Sequence, residues 1–300
     1  MKNLLYISAF YCVTSLLLFG CAPQQSDQEV ITKLEKELAQ GEDNDLAKEL
    51  VQNYLTYTSK YPEDIDLNGR YLYRAAALEY RMGNYAEALK NLQKALKDYY
   101  ESSNSGNSAA LLAGIYKDKL RNIPVATSIY QGIQIAFPDS LSSQFNFPAN
   151  LPAIGVRLDS LRQSIFDEQT YGVNFQVAND YISSVESFAL VAPNDSSTPA
   201  LLFKAGEVAR SIQTFGKAVE LLEWLHERYP NSDKDAQAMF LIAFTLDDGL
   251  KQFEEAKVAY EAFITKYPDD PFADDAQFSL NNLGKDINEL IDQFSEETDQ

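Results

Sequence analysis

The amino-acid sequence predicts an all-α fold, an α-solenoid of antiparallel helix pairs, from two observations. First, an aromatic residue followed by proline recurs along the chain, at Tyr61-Pro62, Phe137-Pro138, Tyr229-Pro230 and Tyr267-Pro268. The first two prolines are 76 residues apart, twice the 38 residues between the last two, so a unit without its proline is expected to end near Tyr100. Second, the segments between these points carry apolar residues at helical spacing. A fixed period of this length is typical of repeat arrays, in which each helix pair packs against its neighbours.

Residues 1–20 have the plan of a signal peptide. They carry one charge, at Lys2, and then an apolar stretch shorter than the roughly 20 residues that span a bilayer. The stretch ends in Leu18-Phe19-Gly20-Cys21, which resembles the lipobox of bacterial lipoproteins. We therefore expect cleavage before Cys21 and lipidation of Cys21, with residues 21–27 as a lipidated linker. The alternative is an uncleaved anchor with an incidental cysteine.

The lipobox resemblance implies a membrane anchor and a location. Two or three acyl chains would hold the protein at a membrane almost permanently, since each buried methylene contributes about 0.8 kcal/mol. Ala22 stands where lipoproteins kept at the inner membrane often carry Asp, so we expect the outer membrane, at its periplasmic face more than at the cell surface. The other cysteine, Cys12, lies in the segment to be removed, which leaves the mature chain without a disulfide.

The charge balance limits the partners. The chain has 25 Lys and Arg against 44 Asp and Glu, a net charge of −19. Nucleic acid and anionic lipid surfaces bind through basic side chains, so both are disfavoured as general partners.

Two helices separated by Gly83-Asn84-Tyr85 define the repeat unit. We expect the first from about Asp66 to Met82 and the second from Ala86 to Tyr99. In the second helix, four apolar residues form one stripe at i, i+4, i+7 and i+8, namely Ala88, Leu92, Ala95 and Leu96. In the first helix, the small residues Ala75 and Ala76 would let its partner approach closely.

This unit resembles the tetratricopeptide repeat, which has small residues in its first helix, a Gly-x-aromatic turn, an early Ala in its second helix and a closing proline. The next unit keeps the matching residues Ala113, Gly114, Tyr116, Ile123, Ala126, Tyr130 and Pro138. Two later units keep Ala205, Gly206, Phe215, Ala218, Leu222, Leu225 and Pro230, and then Ala243, Phe253, Ala256, Tyr260, Phe263 and Pro268. The resemblance implies a tetratricopeptide-like α-solenoid.

The period also predicts the domain organisation. Residues 28–138 are expected to form N-terminal repeats, opened by an amphipathic helix near Gln28–Gln40 and a lone second helix over Asp45–Lys60. Residues 198–284 are expected to form C-terminal repeats with a capping helix that starts at Asp270-Pro271. Residues 285–300 are expected to be an acidic tail, although a short helix is predicted over Ile287–Phe294.

One interval breaks the period. Pro138 and Pro193 are 55 residues apart rather than 38, so residues 139–197 are predicted to hold an irregular insertion and a degenerate repeat. Helices are expected over Val156–Asp167 and Val177–Val191. In the second of these, Tyr181 stands where Ala is expected, which predicts looser or rearranged packing.

The inventory of reactive residues disfavours an enzyme. The single histidine, His226, lies near a predicted helix end, where it suits the helix terminus. No metal cluster, phosphate loop or nucleophile set is found, so we expect no catalytic residues, no metal and no cofactor. Asp64-x-Asp66-x-Asn68-Gly69 fits half of a calcium loop, but Ala75 takes the place of its bidentate Glu, and such residues are also ordinary turn and cap residues.

A surface for partner binding is predicted on the first helices of the repeats. Arg70, Arg74 and Arg81 share one side of a helix, and the resemblance implies that the concave surface includes Arg70, Tyr73, Ala77, Tyr80 and Arg81. It implies the same for Phe203, Glu207, Arg210, Leu241 and Thr245. An acidic or carboxylate-bearing peptide could dock there through forked hydrogen bonds and stacking, and the alternative is that the arginines pair with neighbouring carboxylates.

Two functions remain open from the sequence. The first is a lipid-anchored scaffold or adaptor that binds envelope proteins or peptides; through Tyr267-Pro268-Asp269-Asp270-Pro271-Phe272-Ala273 the chain resembles envelope tetratricopeptide lipoproteins of Bacteroidota, including the one that assists outer-membrane protein assembly. The second is a lipoprotein that binds glycans or peptides for nutrient capture, with an insertion loop that presents Phe145, Phe147 and Leu151. The oligomeric state is not predicted.

Overall fold

The computed structural model describes residues 23–138, 151–166 and 172–285. Regular structure in these ranges consists of thirteen α-helices and two five-residue π-helices, together with one isolated β-bridge between Phe166 and Val173. The helices are α1 (23–38), α2 (Asn44–Lys60), α3 (Ile65–Arg81), α4 (Tyr85–Asp98), α5 (Ser105–Gly114), α6 (Ile123–Ala136), α7 (Ile154–Gln163), α8 (Phe175–Val191), α9 (Thr198–Ser211), α10 (Phe215–Arg228), α11 (Asp235–Phe244), α12 (Phe253–Lys266) and α13 (Ala273–Asn281). The predicted all-α array of antiparallel helix pairs is confirmed.

The chain divides into two compact units, Met1–Arg121 and Asn122–Gln300. Within the described ranges, the first unit holds α1 to α5 and the second holds α6 to α13. The division falls inside the predicted repeat that closes at Pro138, whose first helix (α5) belongs to the first unit and whose second helix (α6) belongs to the second.

The first unit opens with a complete helix pair, which corrects the prediction of a lone second helix. Ile31 and Leu34 of α1 are buried in one cluster with Leu50 and Tyr54 of α2. Burying apolar side chains of this size contributes about 1.5–3 kcal/mol each. The sequence predicted both helices but missed their pairing, since no small-residue motif marks the contact.

An aromatic stack joins this pair to the next. The ring of Tyr54 stacks on the ring of Tyr71 of α3, with the ring centres 4.9 Å apart and the planes inclined at 27°, and the ring of Tyr57 meets Tyr71 edge-on at 5.0 Å. Such ring pairs contribute about 0.5–1.5 kcal/mol beyond their buried area. Tyrosine rings therefore supply part of the contact between α2 and α3.

Polar side chains directly before several helices accept hydrogen bonds from the first turn. Asp43 accepts hydrogen bonds from the backbone N–H of Asp45 and Leu46, at 2.9 and 3.0 Å, before α2. Asn122 and Asn174 do the same for α6 and α8, each at 3.1 Å. These side chains satisfy N–H groups that lack a partner in the first turn.

In four helix pairs, the residue two positions before the second helix (α4, α6, α10 or α12) has a positive φ. The angle is 82° at Gly83, 55° at Arg121, 61° at Gln213 and 55° at Lys251. In two repeats the first helix also widens into a π-helical turn before this residue, over Ile115–Lys119 and Thr245–Gly249. The Gly-x-aromatic turn of the sequence thus corresponds to a left-handed residue, which only the first of these four turns supplies as glycine.

The second unit begins with a departure from the regular repeat, because α6 and α8 run side by side in the same direction. Asn122, before α6, donates to Asp180 of α8 at 2.6 Å. Ten residues further on, Gly132 faces Val191 so closely that a Cβ atom there would lie 3.0 Å from the valine side chain. A regular repeat would place a complete helix between these two.

The short helix α7 is held by one arginine and one aspartate. Arg157 donates to Gln131 of α6 at 2.8 Å and also to Ser128, and burial lowers its pKa to about 10. Asp159 accepts from Lys204 of α9 at 3.0 Å. The helix begins at Ile154 and ends at Gln163, whereas the sequence predicted Val156–Asp167. Residues 139–150 of the predicted insertion lie outside the described residues.

Tyr181 of α8 is fully buried, so the packing around it is rearranged rather than loose. Burial raises the pKa of its hydroxyl, which has no hydrogen-bond partner among the described residues.

After α8 the regular repeat returns, with α9/α10 and α11/α12 as helix pairs and α13 packed on α12. The predicted helix over Ile287–Phe294 lies outside the described residues.

None of the helices in the described ranges combines the length and apolar content needed to cross a bilayer.

Candidate functional site

A cleft in the first unit contains two of the predicted partner-binding arginines. It has a volume of about 430 Å³ and lies between α1, α2 and α3. Its lining residues are Glu35, Leu38, Ala39, Leu50, Tyr54, Arg74, Ala77, Leu78 and Arg81. The four residues from α3 are spaced i, i+3, i+4 and i+7, which places them on one face of the helix. We call this space the first-unit cleft.

Arg74 is already paired inside this cleft. Its guanidinium donates to Glu35 of α1, and the same carboxylate oxygen accepts the hydroxyl of Tyr54 at 2.6 Å. Burial alone would lower the pKa of Arg74, but the Glu35 carboxylate outweighs burial and raises it. Burial and then Glu35 raise the pKa of Tyr54 as well. The alternative from the sequence, an arginine neutralised by a neighbouring carboxylate, therefore holds for Arg74.

Arg81 lies at the exposed end of the same face. In the part of the chain that the structure describes, its guanidinium forms no ion pair. Apolar side chains from all three helices, Leu38, Leu50 and Leu78, line the same cleft. The cleft thus combines an apolar wall with one cation whose hydrogen-bonding groups are available.

The other residues predicted on this surface lie elsewhere. Arg70 stacks 5.9 Å from the ring of Tyr71 and does not line the cleft, and Tyr73 is half-buried outside it. Tyr80 belongs to a separate cluster, in which Lys119 lies 5.2 Å from its ring and 5.6 Å from the ring of Tyr85. Of the residues predicted on this side of α3, Arg74 and Arg81 line the cleft, whereas Arg70, Tyr73 and Tyr80 do not.

Sequence reasoning missed the residues that α1 and α2 contribute, above all Glu35, Leu38 and Tyr54. Because α2 was interpreted as unpaired, no wall was predicted opposite α3. The apolar spacing of Ile31, Leu34 and Leu38 at i, i+3 and i+7 in α1 is the signal that could have shown the missing wall.

Two segments of the chain, residues 70–102 and 237–270, match the family Tetratricopeptide repeat. The chain carries tetratricopeptide repeats. The first match runs from α3 through α4, and the second from α11 through α12. Among solved structures, the TPR2AB domain of yeast Sti1, in a complex titled with pHSP90, is 15% identical over 87% of this chain and 98% of that chain, with a TM-score of 0.32. No curated protein matches the sequence.

In the second unit, the predicted surface residues of α9 are largely occupied by contacts with neighbouring side chains. Arg210 lies 4.4 Å from the ring of Phe244 and 3.3 Å from Asp248. Lys234 lies 5.8 Å from the ring of Phe203, while Glu207 is exposed. In the described part of the chain, the arginine of this surface is therefore already paired, unlike Arg81 of the first-unit cleft.

One residue predicted on the partner-binding surface, Thr245 in the matched segment 237–270, does not lie on a surface. Its side chain is fully buried, and its hydroxyl donates to the carbonyl of Leu241 at 2.6 Å. The reason is the π-helical turn that begins at Thr245, which rotates the end of the first helix relative to a regular repeat. Leu241 itself remains half-buried.

The residues that fit half of a calcium loop, Asp64-x-Asp66-x-Asn68-Gly69, include two carboxylates that accept hydrogen bonds from within the protein. Asp64 precedes α3 and accepts the hydroxyl of Tyr57 at 2.8 Å. Asp66 accepts the backbone N–H and the hydroxyl of Ser103 at 3.0 and 2.7 Å, and these bonds lower its pKa. Both carboxylates thus tie helices together. Within the described ranges no group of three or more metal-binding side chains occurs.

Three other predicted residues lie outside the described residues: the lipidation site Cys21 and the insertion-loop residues Phe145 and Phe147. Leu151 is described and half-buried, one residue before Pro152, whose carbonyl accepts from Gln131 at 2.8 Å.

Proposed function

We propose that this protein is a lipid-anchored, non-enzymatic adaptor at the bacterial cell envelope, which binds an acidic segment of a partner protein in the first-unit cleft. One observation supports this choice of site above the others. Arg81 is a cation without an ion pair among the described residues, next to an apolar wall, in a chain of net charge −19.

The chemistry of the cleft favours a segment with a carboxylate beside an apolar side chain. The apolar side chain would contact Leu38, Leu50 and Leu78, which stabilises the complex by about 25 cal/mol for each Å² buried. The carboxylate would accept two hydrogen bonds from the planar guanidinium of Arg81. The Glu35–Arg74 pair would border the cleft without a net charge.

Membrane attachment rests on the lipobox resemblance at Leu18-Phe19-Gly20-Cys21. We propose attachment to the outer membrane at its periplasmic face, where an adaptor for outer-membrane protein assembly would work. Fractionation tests this: the wild type should be recovered with membranes and a Cys21→Ala variant in the soluble fraction. Recovery of the wild type in the soluble fraction would contradict the anchor.

Binding is tested separately by co-purification from detergent-solubilised envelopes. Arg81→Glu should lower the recovery of a bound envelope protein about tenfold or more, because it replaces an attractive charge contact by a repulsive one. Lys90→Glu is the matched control, since Lys90 is exposed on α4 in the same unit and lies outside the cleft. Equal losses in the two variants, or no envelope protein recovered by the wild type, would exclude this adaptor mechanism.

A further inference from the structure

A second groove lies between the second helices of the two C-terminal repeats, α10 and α12. Its volume is about 730 Å³. Its lining residues are His226, Glu227, Pro230, Met239, Val258, Glu261, Ala262, Thr265 and Lys266. We call it the outer groove, because second helices form it, whereas first helices carry the predicted partner-binding residues.

The outer groove has an exposed apolar strip. Val258 leaves 66% of its surface exposed, the largest value among the large apolar side chains in the described ranges. Ala262 lies one turn further along α12, and Met239 of α11 contributes to the lining. Val258, Glu261, Ala262 and Thr265 are spaced i, i+3, i+4 and i+7, so α12 presents them on one face. Among the residues that the structure describes, Val258 stays exposed, and a bound partner could bury it.

The basic groups of the groove are committed to an internal carboxylate. Lys266 donates to the buried Asp235 at 2.6 Å, and the Nδ1 atom of His226 lies 2.7 Å from the same carboxylate. Glu227 and Glu261 are exposed, and in the described part of the chain neither forms an ion pair. The charge that the groove offers to a partner is therefore negative, with one carboxylate on each of its two helices.

We propose that the outer groove binds a cationic, amphipathic peptide segment of a partner protein. An apolar side chain of the segment contacts Val258 and Ala262, and its lysines or arginines pair with Glu227 and Glu261. Apolar burial supplies affinity, and the charge pairs fix the orientation and select against acidic segments. The net charge of −19 attracts such a segment over longer distances. This site is independent of the first-unit cleft, which belongs to the other unit and attracts the opposite charge.

The probe is a synthetic helical peptide with leucine on one face and lysine on the other, and fluorescence anisotropy measures its binding to the full chain. Glu227→Lys combined with Glu261→Lys should weaken binding about tenfold or more. Val258→Ser should weaken it about fivefold without a change in charge. An acidic peptide, with glutamate for lysine, should not bind measurably.

A matched charge control separates the groove from general attraction. Glu87→Lys combined with Glu101→Lys changes the net charge by the same amount on exposed positions of the first unit, and should alter affinity less than twofold. Arg81→Glu should also leave peptide binding intact, so the failure of one proposed site is distinguishable from the failure of the other. Circular dichroism confirms that each variant is folded.

Three results would overturn the proposal. Equal weakening by the two charge variants would show that the peptide responds only to net charge. Unchanged binding by Val258→Ser would remove the apolar contact from the argument. Concentration-dependent dimerisation of the wild type that Val258→Ser abolishes would assign the groove to a second copy of this chain.

Discussion

The hydroxyl of Tyr267 donates a hydrogen bond to the buried carboxylate of Asp235. Tyr267 follows α12 and Asp235 begins α11, so the bond joins the end of the second helix of a repeat to the start of its first helix. Lys266 donates to the same carboxylate at 2.6 Å. The aromatic residue of the aromatic-proline motif is thus a latch that closes the helix pair.

The same latch occurs in the first unit. Tyr61 follows α2 and donates to Asp27, near the start of α1, at 2.8 Å, and Lys60 donates to that carboxylate at 2.6 Å. In the pair α9/α10, the hydroxyl of Tyr229 instead reaches the carbonyl of Pro193, shortly before α9, at 2.7 Å. The recurring tyrosine therefore serves one purpose with different acceptors.

Removing the Tyr267 hydroxyl should destabilise the second unit. We expect Tyr267→Phe to lower the free energy of unfolding by about 1.5 kcal/mol, since a hydrogen bond to a charged and buried acceptor is lost. Urea unfolding followed by circular dichroism measures this. Tyr61→Phe is the comparison, and its loss should be smaller because Asp27 is partly exposed to water. Equal losses would show that burial of the acceptor does not matter.

The latch also predicts a dependence on pH. Burial alone would raise the pKa of Asp235, but hydrogen bonds from Lys266, Tyr267 and His226 outweigh burial and hold it below its usual value. A carboxyl group whose pKa is lower in the folded state contributes stability above its unfolded pKa of about 3.9, and this contribution is lost as the pH falls through the folded value.

We therefore expect the free energy of unfolding to fall below about pH 4 and to fall less steeply in Asp235→Asn. Urea titrations between pH 3 and pH 7 measure both slopes. Asp27, Asp66 and Asp159 also have lowered pKa values, so the variant should keep part of the slope. Identical slopes in the two proteins would contradict a role for Asp235.

The helices and their period could be predicted from the sequence because both depend on local spacing. The predicted second helix of the unit, Ala86 to Tyr99, differs by one residue at each end from the observed Tyr85–Asp98. The sequence predicted the ends of the units at Tyr61, Tyr229 and Tyr267. It did not predict the hydrogen bonds of their hydroxyl groups, because each acceptor lies more than thirty residues away in the sequence.

Long-range pairing was the part that the sequence did not show. Glu35 pairs with Arg74 across 39 positions, and this contact decides which arginine of the first-unit cleft is available. The parallel approach of α6 and α8 depends on Gly132 facing Val191, and a glycine in an apolar helix carries no mark of its partner. Local sequence patterns thus predicted the helices, whereas the contacts between distant helices became visible only in the structure.

Glycine should stabilise the turn before α12. Lys251 has a φ of 55°, a left-handed conformation that costs a residue with a Cβ atom about 1–2 kcal/mol. Replacing Lys251 by glycine removes this conformational cost, but glycine also has more freedom in the unfolded chain, which offsets part of the gain in stability. Lys251→Gly should therefore raise the free energy of unfolding by about 0.5–1 kcal/mol. Urea unfolding measures it.

The reverse change at the equivalent turn is the control. Gly83 has a φ of 82°, and no atom lies within 4 Å of an added Cβ, so Gly83→Ala tests the backbone alone. It should lower the free energy of unfolding by about 1 kcal/mol. A destabilised Lys251→Gly together with an unaffected Gly83→Ala would refute the argument from φ.

Close helix contact in the second unit requires the small residue Gly206. A Cβ atom there would lie 2.7 Å from Cγ of Leu222, which is itself fully buried on α10 and cannot move away freely. Gly206→Ala should therefore lower the free energy of unfolding by about 1–3 kcal/mol, although alanine favours a helix by itself. Gly216→Ala is the matched control in the paired helix, where an added Cβ would meet nothing within 4 Å, and it should be neutral or stabilise by up to about 1 kcal/mol. If both variants were stabilised, the spacing between α9 and α10 would be wider than described, and the small residue at this repeat position would serve backbone propensity rather than contact.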